Sequence, residues 1–333
     1  IPLSGFGAYY GEQSKKGVDL ARDEILKDNP ELKLEVYYED SQYNAKGGVD
    51  GYNKLRATVQ PDAVITSASD VSMATKPLAV EDNILQMAIW ASADKYASPD
   101  DLSFRTSIKS SIETAVTADF IKTKGFKKLG FIFVETDFGI SFTATLKEAL
   151  AKNESGVAVV GEEGYKLDTN DFRTSLLKLK QASPDAIYMI GPAAKYAIIL
   201  KQANELGLKT QFLSLRSYED PTILQIGSLA EGVVYTYPFD SESSNSENQK
   251  FVRLFREKYD TEPDAYAAEA YEGLRLVAVA FSNCGKNNDC IKNYLSSLKD
   301  YNSIFGEIKF DVNGDPDYPF FLKTVKDGKF VKL

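Results

Sequence analysis

Histidine is absent from the chain. With it go the usual general base, the usual zinc ligand and every serine or cysteine nucleophile that depends on an imidazole. Cysteine is scarce, at 2 residues, and two thiolates without histidine leave a zinc shell half empty. No stretch approaches the roughly 18 consecutive apolar residues of a membrane span, and no signal peptide opens the chain. An excess of cations is also missing: 39 Lys and Arg face 48 Asp and Glu, a net charge of −9, which is the wrong sign for a nucleic-acid partner. Phosphate cradles are missing as well, since no G-x-G-x-x-G follows the first strand and no G-x-x-x-x-G-K-[ST] occurs. Residues 137–139 and 311–315 set acids beside glycine, but neither run completes a calcium loop. No metal and no cofactor is expected, and no base, nucleophile pair or cofactor motif supports an enzyme.

What remains is ordinary for a soluble globular protein, with 43% hydrophobic and 26% charged residues. At about 100–200 residues per domain, the 333 residues predict two lobes. Short apolar runs alternate with amphipathic helical runs, the signature of an α/β fold with largely parallel sheets. The spacing predicts a helix over 12–27 with Val18, Ala21 and Ile25 on one face, a strand over 33–38 from the alternation of Leu34, Val36 and Tyr38, and a helix over 44–59. A strand at 63–65, a helix at 71–82 and a strand at 85–89 follow. A second series runs from 110 to 215, with strands at 128–134, 157–160, 185–190 and 211–215 separated by helices. Each series reads as a doubly wound unit. Gly125 and Gly207 fall where left-handed C-caps are expected. A polar stretch at 240–247 precedes helices at 248–259, 264–282 and 290–298, and strands near 304–310, 320–325 and 330–332 close the chain. Ile1-Pro2-Leu3-Ser4-Gly5 reads as the end of a buried strand entering a loop, which predicts a segment ahead of Ile1.

Cys284 and Cys290 share one short polar loop. A disulfide there would staple the loop and indicate an oxidising compartment, whereas two free surface thiols would suit the cytosol.

In an open α/β sheet, ligands bind beyond the carboxyl ends of the strands. One such loop, Thr66-Ser67-Ala68-Ser69-Asp70-Val71-Ser72, leads directly into a helix, so backbone N–H groups, the helix dipole and serine hydroxyls converge as in an anion site. Simple N-capping by Ser69 or Asp70 is the alternative.

The opening Ile1 to Gly5 with Tyr9-Tyr10-Gly11, the runs Phe104-Arg105-Thr106 and Gly207 to Phe212, Tyr266 to Glu272, Phe310 to Asp315 and the ending Val325 to Lys329 occur in one order over nearly the whole chain. In this the sequence resembles the type I periplasmic binding proteins of the leucine/isoleucine/valine-binding family, the substrate-binding subunits of branched-chain amino-acid ABC importers. The resemblance implies two Rossmann-like doubly wound lobes joined by three hinge crossovers, near 107–109, 237–240 and 314–318. Lobe 1 would hold 1–108 and 239–316, and lobe 2 would hold 109–238 and 317–333. Ligand would be held in the cleft as the lobes close over it.

The resemblance also implies a binding set. Tyr10 matches an aromatic wall position, Ser69 the serine that holds a ligand carboxylate, and Ser92 the position of an assisting hydroxyl. Trp90 stands where the family has a small residue, which would flatten the pocket. Phe138 and Tyr266 match cleft aromatics, and Pro192 stands where a tyrosine is common. Core packing is the alternative for each aromatic. Arg216 stands where a carboxylate usually binds a ligand ammonium. Facing the cleft, it would favour a dicarboxylate or an aromatic or keto acid; pointing outward, it would pair with Glu219 or Asp220. Asp70, beside Ser69, or Glu135 and Asp137 could restore an ammonium site.

The implied function is capture of a small carboxylate-bearing solute, an amino acid or an organic, aromatic or keto acid, and its delivery to the permease subunits of an ABC importer. The alternative is the ligand-binding ectodomain of a receptor or sensor. The implied location is periplasmic or extracellular, as a monomer, with anchoring as a lipoprotein through a segment ahead of Ile1.

Overall fold

The structure, a computed structural model, describes residues 1–299 and 301–333. The chain divides into two compact units, one of Ile1–Lys109 with Phe239–Pro319 and one of Ser110–Pro238 with Phe320–Leu333.

Unit 1 begins with α1 (Ala8–Asp28) and α2 (Ala45–Thr58), followed by β1 (Ala63–Ser67), α3 (Ser69–Asp82), β2 (Leu85–Ile89) and the short β3 (Ser103–Arg105). The three strands form a parallel sheet in the order β1-β2-β3. Asn44 caps α2 by accepting the Gly47 N–H at 2.8 Å, as a short polar side chain at N-cap should. The helices cover both faces of the sheet, and β2 is accordingly buried at every residue.

Unit 2 contains α4 (Ser110–Lys124), β4 (Lys128–Val134), α5 (Asp137–Lys152), β5 (Ala158–Tyr165), α6 (Arg173–Ala182), β6 (Ala186–Ile190), α7 (Ala193–Glu205), β7 (Gln211–Ser214), α8 (Pro221–Leu224) and β8 (Val234–Tyr237). The chain then returns to unit 1 for α9 (Ser246–Tyr259), α10 (Ala265–Cys284), α11 (Asn288–Ser296) and two short antiparallel pairs, β9 (Asn302–Ser303) with β10 (Gly306–Glu307) and β11 (Lys309–Phe310) with β12 (Pro316–Asp317). It ends in unit 2 as β13 (Phe321–Lys326) and β14 (Lys329–Lys332). The unit 2 sheet runs β14-β13-β8-β7-β6-β4-β5, parallel except for the last two strands of the chain. Leu129, Phe131, Phe142, Leu146, Tyr188 and Ile190 fill its core. The fold is therefore α/β with doubly wound units.

α10 packs on α1 in unit 1. Gly17 makes the close crossing possible, because a Cβ there would lie 2.1 Å from the Ala267 carbonyl oxygen. Cys284, the last residue of α10, is joined by a disulfide to Cys290 in the first turn of α11.

The structure corrects some expected elements. Residues 33–38 alternate half-buried Leu34, Val36 and Tyr38 with exposed neighbours, yet form no strand. Alternation defines a strand's faces, but a ladder also needs a partner. The strand expected over 304–310 is instead the two short pairs described above, where Gly306 and Gly314 adopt φ of +101° and +95° and break the run. β5 extends beyond 157–160 to Tyr165, and β3 and α8 are too short for any periodicity to reveal.

Candidate functional site

The carboxyl ends of β1 and β2 each turn through an uncommon backbone conformation. Ala68, between β1 and α3, has φ +66° and ψ 149°, and Trp90, just after β2, has φ +38°. Side chains rarely adopt positive φ, so each must be held by its surroundings, and such residues concentrate at functional sites. Ala68 N–H donates to the Ile89 carbonyl at 3.3 Å. The Trp90 backbone N–H donates to Glu269 Oε2 at 2.6 Å, and its indole Nε1–H donates to Ser14 Oγ at 2.9 Å. Ser14 in turn donates to the Tyr10 carbonyl. Glu269, fully buried on α10, also accepts from the Ser107 hydroxyl.

The loop after Trp90 is braced from two sides. The Ser69 hydroxyl oxygen accepts the Ala93 N–H at 3.1 Å, which leaves its proton available to an anion. The fully buried Arg105 donates through Nη1 to the carbonyls of Ala91 and Ala93 at 3.0 and 2.9 Å, and through Nε to Asp315 Oδ1 at 2.6 Å. Between these carbonyls sits Ser92, 1% exposed, whose Oγ has no hydrogen-bond partner among the described residues. A buried hydroxyl without a partner costs free energy unless something else satisfies it. Deeper in, Gln86 donates to the Ser72 carbonyl at 2.9 Å and to the Tyr96 hydroxyl at 3.2 Å. Burial pushes the Tyr96 phenol well up from its ordinary value, so it stays a neutral donor and acceptor.

Beside these loops stands a group of aromatic rings. Tyr10 lies 4.6 Å from Tyr266 and 5.9 Å from Trp90, Trp90 meets Tyr266 edge-on at 5.5 Å, and Tyr43 stacks on Trp90 at 6.0 Å. Tyr10, Trp90 and Tyr266, named from the sequence, are thus in mutual contact, with Ser69 and Ser92 on the adjoining turns. Asp70 is half-buried in the first turn of α3, where a carboxylate complements the helix dipole.

The other named residues lie in unit 2. Phe138, in the first turn of α5, packs 5.0 Å from Phe142. Pro192 is the N-cap of α7, in a turn held by Gly191 N–H donating to the Tyr196 hydroxyl at 2.7 Å and the Ser217 hydroxyl donating to the Gly191 carbonyl at 2.7 Å. Burial pushes the Tyr196 phenol up to about 12. Arg216 is 3% exposed, with Nη2 3.5 Å from Glu113 Oε2. The outward alternative for Arg216 is overturned: Glu219 is taken by Lys323 and Tyr235, and Asp220 caps α8 by accepting the Thr222 N–H. A fully buried Glu113, also bonded by the Thr236 hydroxyl, offers a guanidinium more than a solvated surface carboxylate does.

Sequence reasoning gave no role to Tyr43, Ser14, Glu113, Arg105 or Glu269. Arg105 and Glu269 do lie inside the runs Phe104-Arg105-Thr106 and Tyr266 to Glu272, so a signal was present without its meaning.

A model of the periplasmic binding protein family matches residues 1–329. The chain belongs to that family. The leucine/isoleucine/valine-binding protein homolog 2 of Brucella abortus (strain 2308) is 27% identical over 341 residues, covering 99% of this chain and 90% of the relative. Two solved structures share the fold at a TM-score of 0.90. One, a solute-binding protein of an ABC transporter from R. palustris in complex with benzoate, is 21% identical, covering 100% of this chain and 93% of that one. The other, the leucine-binding protein LivK of Thermotoga maritima, is 22% identical, covering 100% and 95%. This periplasmic binding protein is of type I, in the leucine/isoleucine/valine-binding family, and is a solute-binding protein, not an enzyme. The family is extracytoplasmic, and among the described residues no helix is long and apolar enough to cross a membrane.

Proposed function

We propose that this periplasmic binding protein captures a small solute with one carboxylate and a flat organic body, and delivers it to the permease subunits of an ABC importer. The observation that carries the reading is the placing of Ser69 and Ser92, on turns braced by Arg105 and Glu269, beside the rings of Tyr10, Tyr43, Trp90 and Tyr266. Hydroxyls and helix N–H groups suit a carboxylate, and the aromatic rings suit a planar body. Tyr266 contributes apolar surface, and Asp70 serves the helix terminus.

In this reading the carboxylate goes to Ser69 and Ser92. An aromatic or keto acid then fits better than a dicarboxylate. The benzoate bound by the R. palustris relative and the leucine named for the Thermotoga relative bracket the choice. A thermal-shift panel of benzoate, 3,4-dihydroxybenzoate, 4-methyl-2-oxopentanoate, leucine, isoleucine and valine tests it, because a ligand stabilises the folded state in proportion to its affinity. The aromatic acids should give the largest shifts. Shifts confined to the three amino acids would overturn the reading.

A further inference from the structure

Two aromatic residues of unit 1 share a backbone conformation that side chains of their size rarely take. Tyr43 has φ +57° and Trp90 φ +38°, and their rings stack at 6.0 Å. Strain of this kind persists only where the surroundings over-determine it. Tyr43 lies against the residue that opens α1, since a Cβ on Gly7 would come within 2.7 Å of its ring. Trp90 is held at both ends, its backbone N–H by Glu269 and its indole N–H by Ser14.

The bond to Ser14 can run in one direction only. Ser14 is fully buried in the second turn of α1, and its hydroxyl proton is committed to the Tyr10 carbonyl four residues back, at 2.8 Å. Its lone pairs remain, and an indole N–H can only donate. The two groups therefore satisfy each other in one orientation of the ring. An indole turned away from Ser14 gives up that bond, while Tyr10, Tyr266 and Tyr43 still crowd it at 5.9, 5.5 and 6.0 Å.

We infer that Ser14 is a positioning residue for solute selection: it locks the indole of Trp90 as a fixed wall beside Ser92, and that wall limits the width of the ring a carboxylate held at Ser92 can carry. Ser14 is buried and touches no solute itself; it acts through the indole. The inference rests on the proposed carboxylate site and adds to it the residue that sets the size limit.

The test uses the whole chain. It contains 1 tryptophan, so a single indole N–H resonance reports the bond. Ser14→Ala should speed solvent exchange of that proton at least about tenfold. It should also lower the ratio of benzoate to 2-naphthoate affinity, read by calorimetry, at least about tenfold. Trp90→Phe has no indole N–H and should lower the same ratio, and Ser14→Ala added to it should change the ratio by less than about twofold. That non-additivity separates positioning from a general loss of packing, which would add. An unchanged exchange rate in Ser14→Ala, or a tenfold effect of Ser14→Ala on the Trp90→Phe background, would overturn the inference. Binding of both acids by the parent with an unchanged ratio in Ser14→Ala would overturn it alone, leaving the carboxylate site in place. Binding of neither acid by the parent would overturn the carboxylate reading and the inference with it.

Discussion

Replacing Arg105 by Met should loosen the turn that presents Ser92 before it unfolds the unit. Arg105 is fully buried, its Nε and Nη2 lie 2.6 and 2.5 Å from Asp315 Oδ1, and its Nη1 serves the Ala91 and Ala93 carbonyls. Removing one partner of a buried ion pair costs about 3–5 kcal/mol. Asp315 keeps Lys109, 3.2 Å away, which draws the estimate toward the lower end. The two carbonyls lose charge-assisted bonds worth about 1.5–3 kcal/mol each, and these overlap with the first figure instead of adding to it. A net loss of about 3–5 kcal/mol follows. Trp90 is the chain's 1 tryptophan, so urea unfolding followed by tryptophan emission reads unit 1 alone. Arg105→Lys should fall between, because an ammonium cannot reproduce the planar fork. An Arg105→Met unfolding free energy within about 0.5 kcal/mol of the parent would refute the bracing role.

Two further outcomes are expected. Ser69→Ala should weaken solute binding by about 1–3 kcal/mol, the scale of a hydrogen bond to a charged group, with unfolding by urea little changed; calorimetry checks it. Arg216→Met should destabilise by about 3–5 kcal/mol and Glu113→Gln by a similar amount, while the double variant should lose much less than their sum; a strictly additive cycle in urea would deny the pairing.

Much of this molecule is legible in its sequence because its strands and helices are local patterns. The buried strands β4 and β6 and the helices between them announce themselves by apolar runs and 3.6-residue periodicity. Residues 33–38 show the limit of that reading: the alternation of Leu34, Val36 and Tyr38 is real, but whether it becomes a ladder depends on a neighbour that no local pattern specifies. The site divides the same way. Ser69 is readable as a hydroxyl ahead of a helix, and Tyr10, Trp90 and Tyr266 are readable as aromatics at loop positions. Glu269 holding the Trp90 backbone, Arg105 holding the Ser92 turn and Glu113 meeting Arg216 are contacts between residues far apart in the chain. Residue type gives no hint of them, and the positive φ of Trp90 is equally silent because tryptophan has no preference for that conformation.

The central claim is that Ser69 and Ser92 read a carboxylate beside a ring-lined surface that contains Trp90. Titration of Trp90 emission with benzoate and with benzyl alcohol, which keeps the ring and removes the charge, tests it most directly. Saturable quenching or shift by benzoate, weakened at least about tenfold for benzyl alcohol and for benzoate on Ser69→Ala, is the predicted result. Equal responses to the two compounds, or a response to leucine with none to benzoate, would contradict it.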